Sequence, residues 1–184
     1  RTGMEGDPFR SFFSLRTPPE FVDLDKDGDA DFALTLGTDL RYYVNTKTSF
    51  PEFTERTQTA NPFNEIADTL TNDAYGGGAL TFADLDDDGL LDYVLVVSGD
   101  IHYYENIGSK TRPAFTARTG TASPFNGISV DNDETAFADL NGDGLVDLVV
   151  GATDGTIKYY ENNGTRTSPA FMALTGAANP FNEI

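Results

Sequence analysis

Three copies of one unit account for most of the chain. A tandem repeat constrains folding more than any single motif, because each copy must be one supersecondary element that buries its faces on its neighbours. The copies align without gaps over Phe21-Val22-Asp23-Leu24-Asp25-Lys26-Asp27-Gly28, Phe82-Ala83-Asp84-Leu85-Asp86-Asp87-Asp88-Gly89 and Phe137-Ala138-Asp139-Leu140-Asn141-Gly142-Asp143-Gly144. An apolar run follows each, then Leu40-Arg41-Tyr42-Tyr43, Ile101-His102-Tyr103-Tyr104 and Ile157-Lys158-Tyr159-Tyr160. Pro51-Glu52-Phe53, Pro113-Ala114-Phe115 and Pro169-Ala170-Phe171 come next. Asn61-Pro62-Phe63-Asn64, Ser123-Pro124-Phe125-Asn126 and Asn179-Pro180-Phe181-Asn182 close the units, with a further copy at Asp7-Pro8-Phe9.

From the first loop aspartate to the closing proline the distances are 39, 40 and 41 residues, and from that proline to the next aspartate 15, 22 and 15. The middle connection therefore carries an insertion around Asp68 to Gly78, whose Gly76-Gly77-Gly78 run reads as an exposed loop. These spacings divide the chain into the end of a preceding repeat with its linker (1–20), repeat 1 (21–66), an inserted connection (67–81), repeat 2 (82–128), a connection (129–136) and repeat 3 (137–184).

The pattern within a unit is all-β. Tyr93-Val94-Leu95-Val96-Val97 and Leu148-Val149-Val150 are continuous β-branched and aliphatic runs, as expected of strands covered on both faces. Asp154-Gly155 marks a hairpin between the second of these and Thr156 to Tyr160, Asn163-Gly164 marks the next turn, and Pro169 to Leu174 can form a further strand. With the short Phe-x-Asp stretch before each acidic loop, every unit offers four strands. Tandem four-stranded units are what propeller blades are made of.

The acidic loops carry the clearest chemistry. Asp84, Asp86 and Asp88 lie at loop positions 1, 3 and 5, Gly89 at 6, Leu90 at 7 where a backbone carbonyl can turn inward, and Asp92 at 9. The first loop matches with Asp23, Asp25, Asp27, Gly28, Asp29 and Asp31, and the third with Asp139, Asn141, Asp143, Gly144, Leu145 and Asp147. Carboxylates two apart around a glycine turn can converge on one hard cation, and Ca²⁺ accepts six to eight oxygens. Without a cation, charges brought that close repel and take up protons. An EF-hand needs an acid at position 12, where this chain has Leu34, Leu95 and Val150, and a helix where this chain has strands. Mg²⁺ suits such carboxylate-rich loops less well because it holds a strict octahedron and keeps its water. The expectation is about three Ca²⁺, one per loop.

Composition narrows the remaining classes. With 12 Lys+Arg against 30 Asp+Glu the formal net charge is −18, which argues against a nucleic-acid backbone as partner. Eleven of the 30 acids occupy positions 1, 3, 5 and 9 of the loops, so part of the imbalance reads as metal site. No apolar run approaches the length of a membrane span. The absence of cysteine excludes disulfides, zinc-thiolate sites and cysteine nucleophiles. The single histidine, His102, aligns with Arg41 and Lys158, so it reads as a variable, solvent-facing strand position rather than a catalyst. A catalytic carboxylate pair occurs once, whereas these acids recur in every unit, and Asp131, Asp133 and Glu134 outside the loops show no pairing. The chain is read as no enzyme. In the tyrosine pairs neighbouring residues face opposite ways, so one of each packs inside. Asn163-Gly164-Thr165 is an N-glycosylation acceptor in a eukaryotic secretory context and otherwise an Asn-Gly turn.

The segment Phe-Ala-Asp-Leu-Asp-Asp-Asp-Gly-Leu-Leu-Asp, followed by a strand and then Gly-x-Ile-x-Tyr-Tyr-Glu-Asn, resembles the FG-GAP/VCBS-type repeats, which are related to the calcium-binding blades of the integrin alpha-subunit propeller. The resemblance implies an extracellular or cell-surface β-propeller, structural Ca²⁺ in the loop between the first two strands of a blade, and roles in adhesion or carbohydrate contact. Closed propellers have about four to eight blades, and this chain holds about three. The chain opens on Arg1 rather than Met and ends at nearly the phase of the repeat at which it begins, so a segment or protomer of a longer array or head-to-tail, filament-like assembly is expected. The expected function is a calcium-stabilised structural or adhesive module whose partners are neighbouring repeats, copies of itself, glycans or cell-surface proteins. The alternative is a calcium-dependent lectin.

Overall fold

Within each sheet every strand pairs with the next one along the chain. The structure, a computed structural model, describes residues 18–36, 39–46, 51–64, 79–130 and 134–183. Strands β1 (Glu20–Val22), β2 (Asp31–Leu36), β3 (Asp39–Asn45) and β4 (Phe53–Arg56) form one four-stranded antiparallel sheet. A second contains β5 (Ala79–Ala83), β6 (Asp92–Val97), β7 (Asp100–Asn106) and β8 (Phe115–Arg118), and a third β9 (Glu134–Ala138), β10 (Asp147–Gly151), β11 (Ile157–Asn162) and β12 (Phe171–Leu174). Among the described residues there is no α-helix, only single 3-10 turns such as Gly120–Ala122 ahead of the Pro-Phe motifs. The all-β reading and the four strands per unit hold.

The chain forms two compact units, residues 1–77 with the first sheet and 78–184 with the other two. In the first, Phe32 stacks on its cross-strand partner Tyr43 at 4.6 Å and meets Phe53 edge-on at 4.8 Å. The second sheet repeats this ladder with Tyr93, Tyr104 and Phe115 at 4.5 and 4.9 Å. Such offset and edge-on aromatic contacts add to the area they bury. Every residue of β6 is buried, as its unbroken apolar run requires.

Within the second unit the two sheets share a core of Val94, Val96, Tyr103, Phe125, Val130, Leu148 and Val150. Phe125, from the closing motif of repeat 2, stacks on Phe171 of β12 at 4.9 Å with 8° between the rings. The Thr81 hydroxyl lies 3.0 Å from the Thr135 carbonyl, joining β5 to β9.

Two local expectations change. Residues 79–81 and 134–136, assigned to connections, begin β5 and β9. The turn after β11 is built on Thr165–Ser168 rather than on Asn163-Gly164. Gly164 serves a close approach instead: a Cβ there would sit 2.3 Å from the Ser168 carbonyl oxygen, and Gly108 repeats the situation against Arg112. Asp7-Pro8-Phe9, the inserted stretch 67–78 with its glycine run, and Asp131 and Asp133 lie outside the described residues.

Candidate metal centre

Each acidic loop joins the first two strands of its sheet, between β1 and β2, β5 and β6, and β9 and β10. The loops close on themselves through aspartate-to-backbone hydrogen bonds, the turn chemistry that Asp and Gly favour. The position-1 carboxylate accepts backbone N–H groups from across the turn: Asp23 from Asp27 and Gly28 at 3.1 and 3.2 Å, and Asp84 from Asp88 and Gly89 at 3.2 and 3.0 Å. The position-5 carboxylate accepts from position 7, Asp27 from Asp29 at 2.9 Å and Asp88 from Leu90 at 2.7 Å. Gly28, Gly89 and Gly144 take left-handed φ of 97°, 84° and 84°, and position 4 is left-handed too, at Lys26 (57°), Asp87 (58°) and Gly142 (78°).

The result is convergence. Asp23, Asp25 and Asp27 each place a carboxylate oxygen within 4.8 Å of the others, and Asp84, Asp86 and Asp88 do the same. In both clusters the position-3 carboxylate is the unsatisfied member: Oδ1 of Asp25 and of Asp86 is buried and has no hydrogen-bond partner. Burial pushes both carboxyl groups above the usual range, and the charges of Asp27 and Asp88, respectively, push further. A buried acceptor without a donor is costly, and a hard cation held by oxygen ligands answers that cost. The donor sets of the first two loops therefore fit a Ca²⁺-type ion.

The third loop differs. Asn141 replaces the central carboxylate and donates from Nδ2 to Asp143 at 3.0 Å and to Glu161 at 3.2 Å. Asp139 accepts from Gly142 and Gly144 at 2.7 and 3.0 Å, and Asp143 from Leu145 at 2.8 Å. The loop keeps the turn while holding fewer converging charges, and Asp139, Asn141 and Asp143 are exposed.

The position-9 aspartates are held by hydrogen bonds of their own, and the charges of Asp25 and Asp27 reach Asp31 as that of Asp86 reaches Asp92. Asp31, Asp92 and Asp147 are buried at the start of the second strand of each sheet. Asp92 Oδ2 accepts the Tyr103 hydroxyl at 2.9 Å and the Leu85 N–H at 3.1 Å, and Oδ1 accepts the Asn106 N–H at 2.8 Å. Asp147 repeats this with Tyr159 (2.7 Å), Leu140 (3.2 Å) and Asn162 (2.9 Å), and Asp31 with the Tyr42 hydroxyl and the Asn45 N–H. Burial raises the carboxyls of Asp31 and Asp92 to about 6, against the lowering pull of those same hydrogen bonds. The buried asparagines extend the network. Asn106 Oδ1 accepts from Gly108 and Ala114, both at 3.1 Å, and its Nδ2 donates to the Leu91 carbonyl.

Sequence reasoning did not give these asparagines a role, although Tyr-Tyr-x-Asn recurs in all three units as a readable signal. The first tyrosine of each pair packs inside, as expected, and Tyr104 is buried as well. His102 is partly buried rather than solvent-facing, with its imidazole pushed toward the neutral form by burial and pulled the other way by Asp100. Asn163 is exposed, its N–H donating to the Ala170 carbonyl at 2.9 Å. Among the described residues no helix is long and apolar enough to cross a membrane.

The loop-and-strand unit has counterparts among known proteins. No curated protein matches the sequence. Among solved structures, a lectin of Agrocybe aegerita, from work on specific recognition of non-reducing terminal N-acetylglucosamine, is similar at a TM-score of 0.50 with 20% identity, over 87% of this chain. The match takes in 38% of that lectin, so this chain spans well under half its length. Residues 84–150, from the first position of loop two into β10, match the model of the FG-GAP-like repeat, so this segment is an FG-GAP-type repeat.

Proposed function

We propose that the chain is a non-enzymatic, calcium-stabilised repeat module of β-propeller-type blades, extracellular or cell-surface, acting as a structural or adhesive element of a longer array. The observation that carries this reading is the buried, partnerless Oδ1 of Asp25 and Asp86, each inside a cluster of three carboxylates within 4.8 Å. Asp23, Asp25 and Asp27 would hold one ion and Asp84, Asp86 and Asp88 a second. Asp139, Asn141 and Asp143 form a third, weaker donor set. The acids recur in every unit and lie at the connections of the strands, which supports a scaffold role over acid–base catalysis.

Thermal unfolding tests the metal. Binding to the native state alone raises stability in proportion to the logarithm of ligand excess over Kd. Chelation with EDTA is expected to lower the melting temperature and Ca²⁺ to restore it, with Mg²⁺ less effective. An unchanged melt would remove the proposal.

A second reading, a carbohydrate-binding module, draws support from the fold likeness to the lectin. A glycan-array screen with and without Ca²⁺ separates the two: saturable, specific sugar binding favours the lectin and silence favours the scaffold.

A further inference from the structure

The third loop carries Asn141-Gly142 where the first has Asp25-Lys26 and the second Asp86-Asp87. In an Asn-Gly pair the side-chain amide is open to attack by the backbone nitrogen that follows it, because glycine has no Cβ to obstruct the approach and turns freely in φ and ψ. Hydrogen bonds of the loop engage both reacting groups. The Gly142 N–H donates to Asp139 Oδ1 at 2.7 Å, within reach of a carboxylate base. The Asp143 N–H donates to Asn141 Oδ1 at 2.9 Å, where negative charge gathers when the amide carbon is attacked. That second bond also folds the Asn141 carbonyl back over the residues that follow it.

The other Asn-Gly pairs, Asn126-Gly127 and Asn163-Gly164, lack this arrangement. The Gly164 N–H donates to the neutral Asn162 Oδ1 at 3.1 Å, which is no base, and Gly164 is wedged against the Ser168 carbonyl. Among the described residues no carboxylate accepts from the Gly127 N–H, and no N–H donates to the Asn126 side chain.

We propose that Asn141 is a site of spontaneous deamidation, with water as the only co-reactant. The Gly142 nitrogen gives up its proton toward Asp139 and bonds to the Asn141 Cγ. The Cγ–Nδ2 bond then breaks, and the nitrogen takes a proton from solvent and leaves as ammonia. Water opens the resulting cyclic imide, giving aspartate where the backbone nitrogen is released from Cγ and isoaspartate where it is released from the backbone carbonyl. The net change is water consumed and ammonia released, with nothing oxidised or reduced. Loop two displays the aspartate form: Asp86 holds this position with a buried, partnerless oxygen, close to the charges of Asp88, Glu105 and Asp84. Glu161 is the counterpart of Glu105, and conversion of Asn141 removes its two Nδ2 donations, to Asp143 and to Glu161. The consequence rests on the calcium reading proposed above: the third, weaker donor set becomes a full carboxylate triad, and cation binding by loop three increases as the protein ages.

The test incubates the full chain in EDTA at physiological temperature and mildly alkaline pH, with peptide mapping by mass spectrometry at intervals. Asn141 is expected to lose its amide before Asn126 and Asn163, part of it as aspartate. Gly142→Lys is expected to keep the Asn141 amide over the same period. Its loop is expected to fold, since Lys26 and Asp87 take the same left-handed position in the other loops and a Cβ on Gly142 meets nothing within 4 Å. The proposal is overturned if Asn141 keeps its amide or converts no faster than the other two, if Gly142→Lys converts equally fast, or if isoaspartate is the sole product. Calorimetric titration with Ca²⁺ reads the consequence separately, with Asn141→Asp expected to gain one tight site over the wild type. If the wild type binds Ca²⁺ and this variant gains no site, the consequence fails while the calcium reading stands. If neither protein binds, the calcium reading fails and the consequence with it, whatever the peptide maps show.

Discussion

Asp86 sits in an unfavourable position for a charged residue without metal. Its buried Oδ1 has no partner, and burial together with the charges of Asp88, Glu105 and Asp84 opposes ionisation. The third loop displays the alternative, since Asn141 at the same position donates to Asp143 and to Glu161, the counterpart of Glu105. Asp86→Asn should therefore act with opposite signs in two buffers. In EDTA it is expected to match or exceed the wild type by roughly 0.5–1 kcal/mol, because a like-charge contact is removed. In Ca²⁺ it is expected to lose most of the gain that loop two contributes. Urea melts of both proteins in both buffers check this, and a variant that is weaker in EDTA yet fully rescued by Ca²⁺ contradicts it. Tyr103 makes a different kind of contribution. Its hydroxyl donates to the buried Asp92 carboxylate, so Tyr103→Phe leaves the ring in place and deprives a buried acceptor of one of its donors. A loss of about 1–3 kcal/mol is expected in the same melts, with the denaturant slope unchanged.

At the scale of strands and turns, the connections show which glycines are needed. Gly120 and Gly176 have left-handed φ of 55° and 56°, but Gln58 takes 52° at the same place in repeat 1, and a Cβ on Gly120 would meet open space. Gly108 has no left-handed φ, yet a Cβ there would lie 2.3 Å from the Arg112 carbonyl oxygen and 2.6 Å from the Ala114 nitrogen. Gly108→Ala is thus expected to cost roughly 2–3 kcal/mol by displacing backbone, and Gly120→Ala no more than about 1 kcal/mol. Equal costs in equilibrium unfolding would show that backbone conformation, not close approach, governs these turns. The strands were legible in the sequence because the apolar runs and the Phe-x-Asp, Tyr-Tyr and Pro-x-Phe stretches repeat at fixed spacing, and repetition makes a weak local signal strong. The loop carboxylates were legible for the same reason. The division of labour within a loop was not: the 1-3-5-9 spacing groups Asp92 with Asp84, Asp86 and Asp88, whereas the start of β6 turns Asp92 toward Tyr103 and Asn106. Side-chain direction at a strand start depends on the partner strand, which the spacing of one loop does not contain. The true turn after β11 was missed because Asn-Gly is a strong hairpin signal, while the Thr165–Ser168 pairing has no comparable signature.

At the scale of the whole molecule, identical repeats meet different environments, and that difference decides what each residue contributes. Leu85 is 2% exposed and its counterpart Leu140 46%, because the face of the second sheet is covered inside its unit while Leu140 lies on a face with no such cover among the described residues. The closing phenylalanines follow the same rule. Phe125 is 2% exposed, stacks on Phe171 at 4.9 Å and lies 6.0 Å from Tyr103 and from Phe137, so it ties one sheet to the next. Phe181, in the same motif, is partly exposed and meets Tyr159 at 6.3 Å. Phe125→Ala removes a fully buried ring from between two sheets and is expected to cost about 3–5 kcal/mol. Since the sheets of the second unit share that core, hydrogen exchange in β9–β12 should lose protection together with β5–β8 rather than in β5–β8 alone. Phe181→Ala removes contacts that water already reaches, so its cost should stay below about 1.5 kcal/mol, the exchange pattern of β5–β8 remaining as in the wild type. Comparable losses for the two variants would mean that the last closing motif is buried in solution, and would require a neighbouring surface over the third sheet.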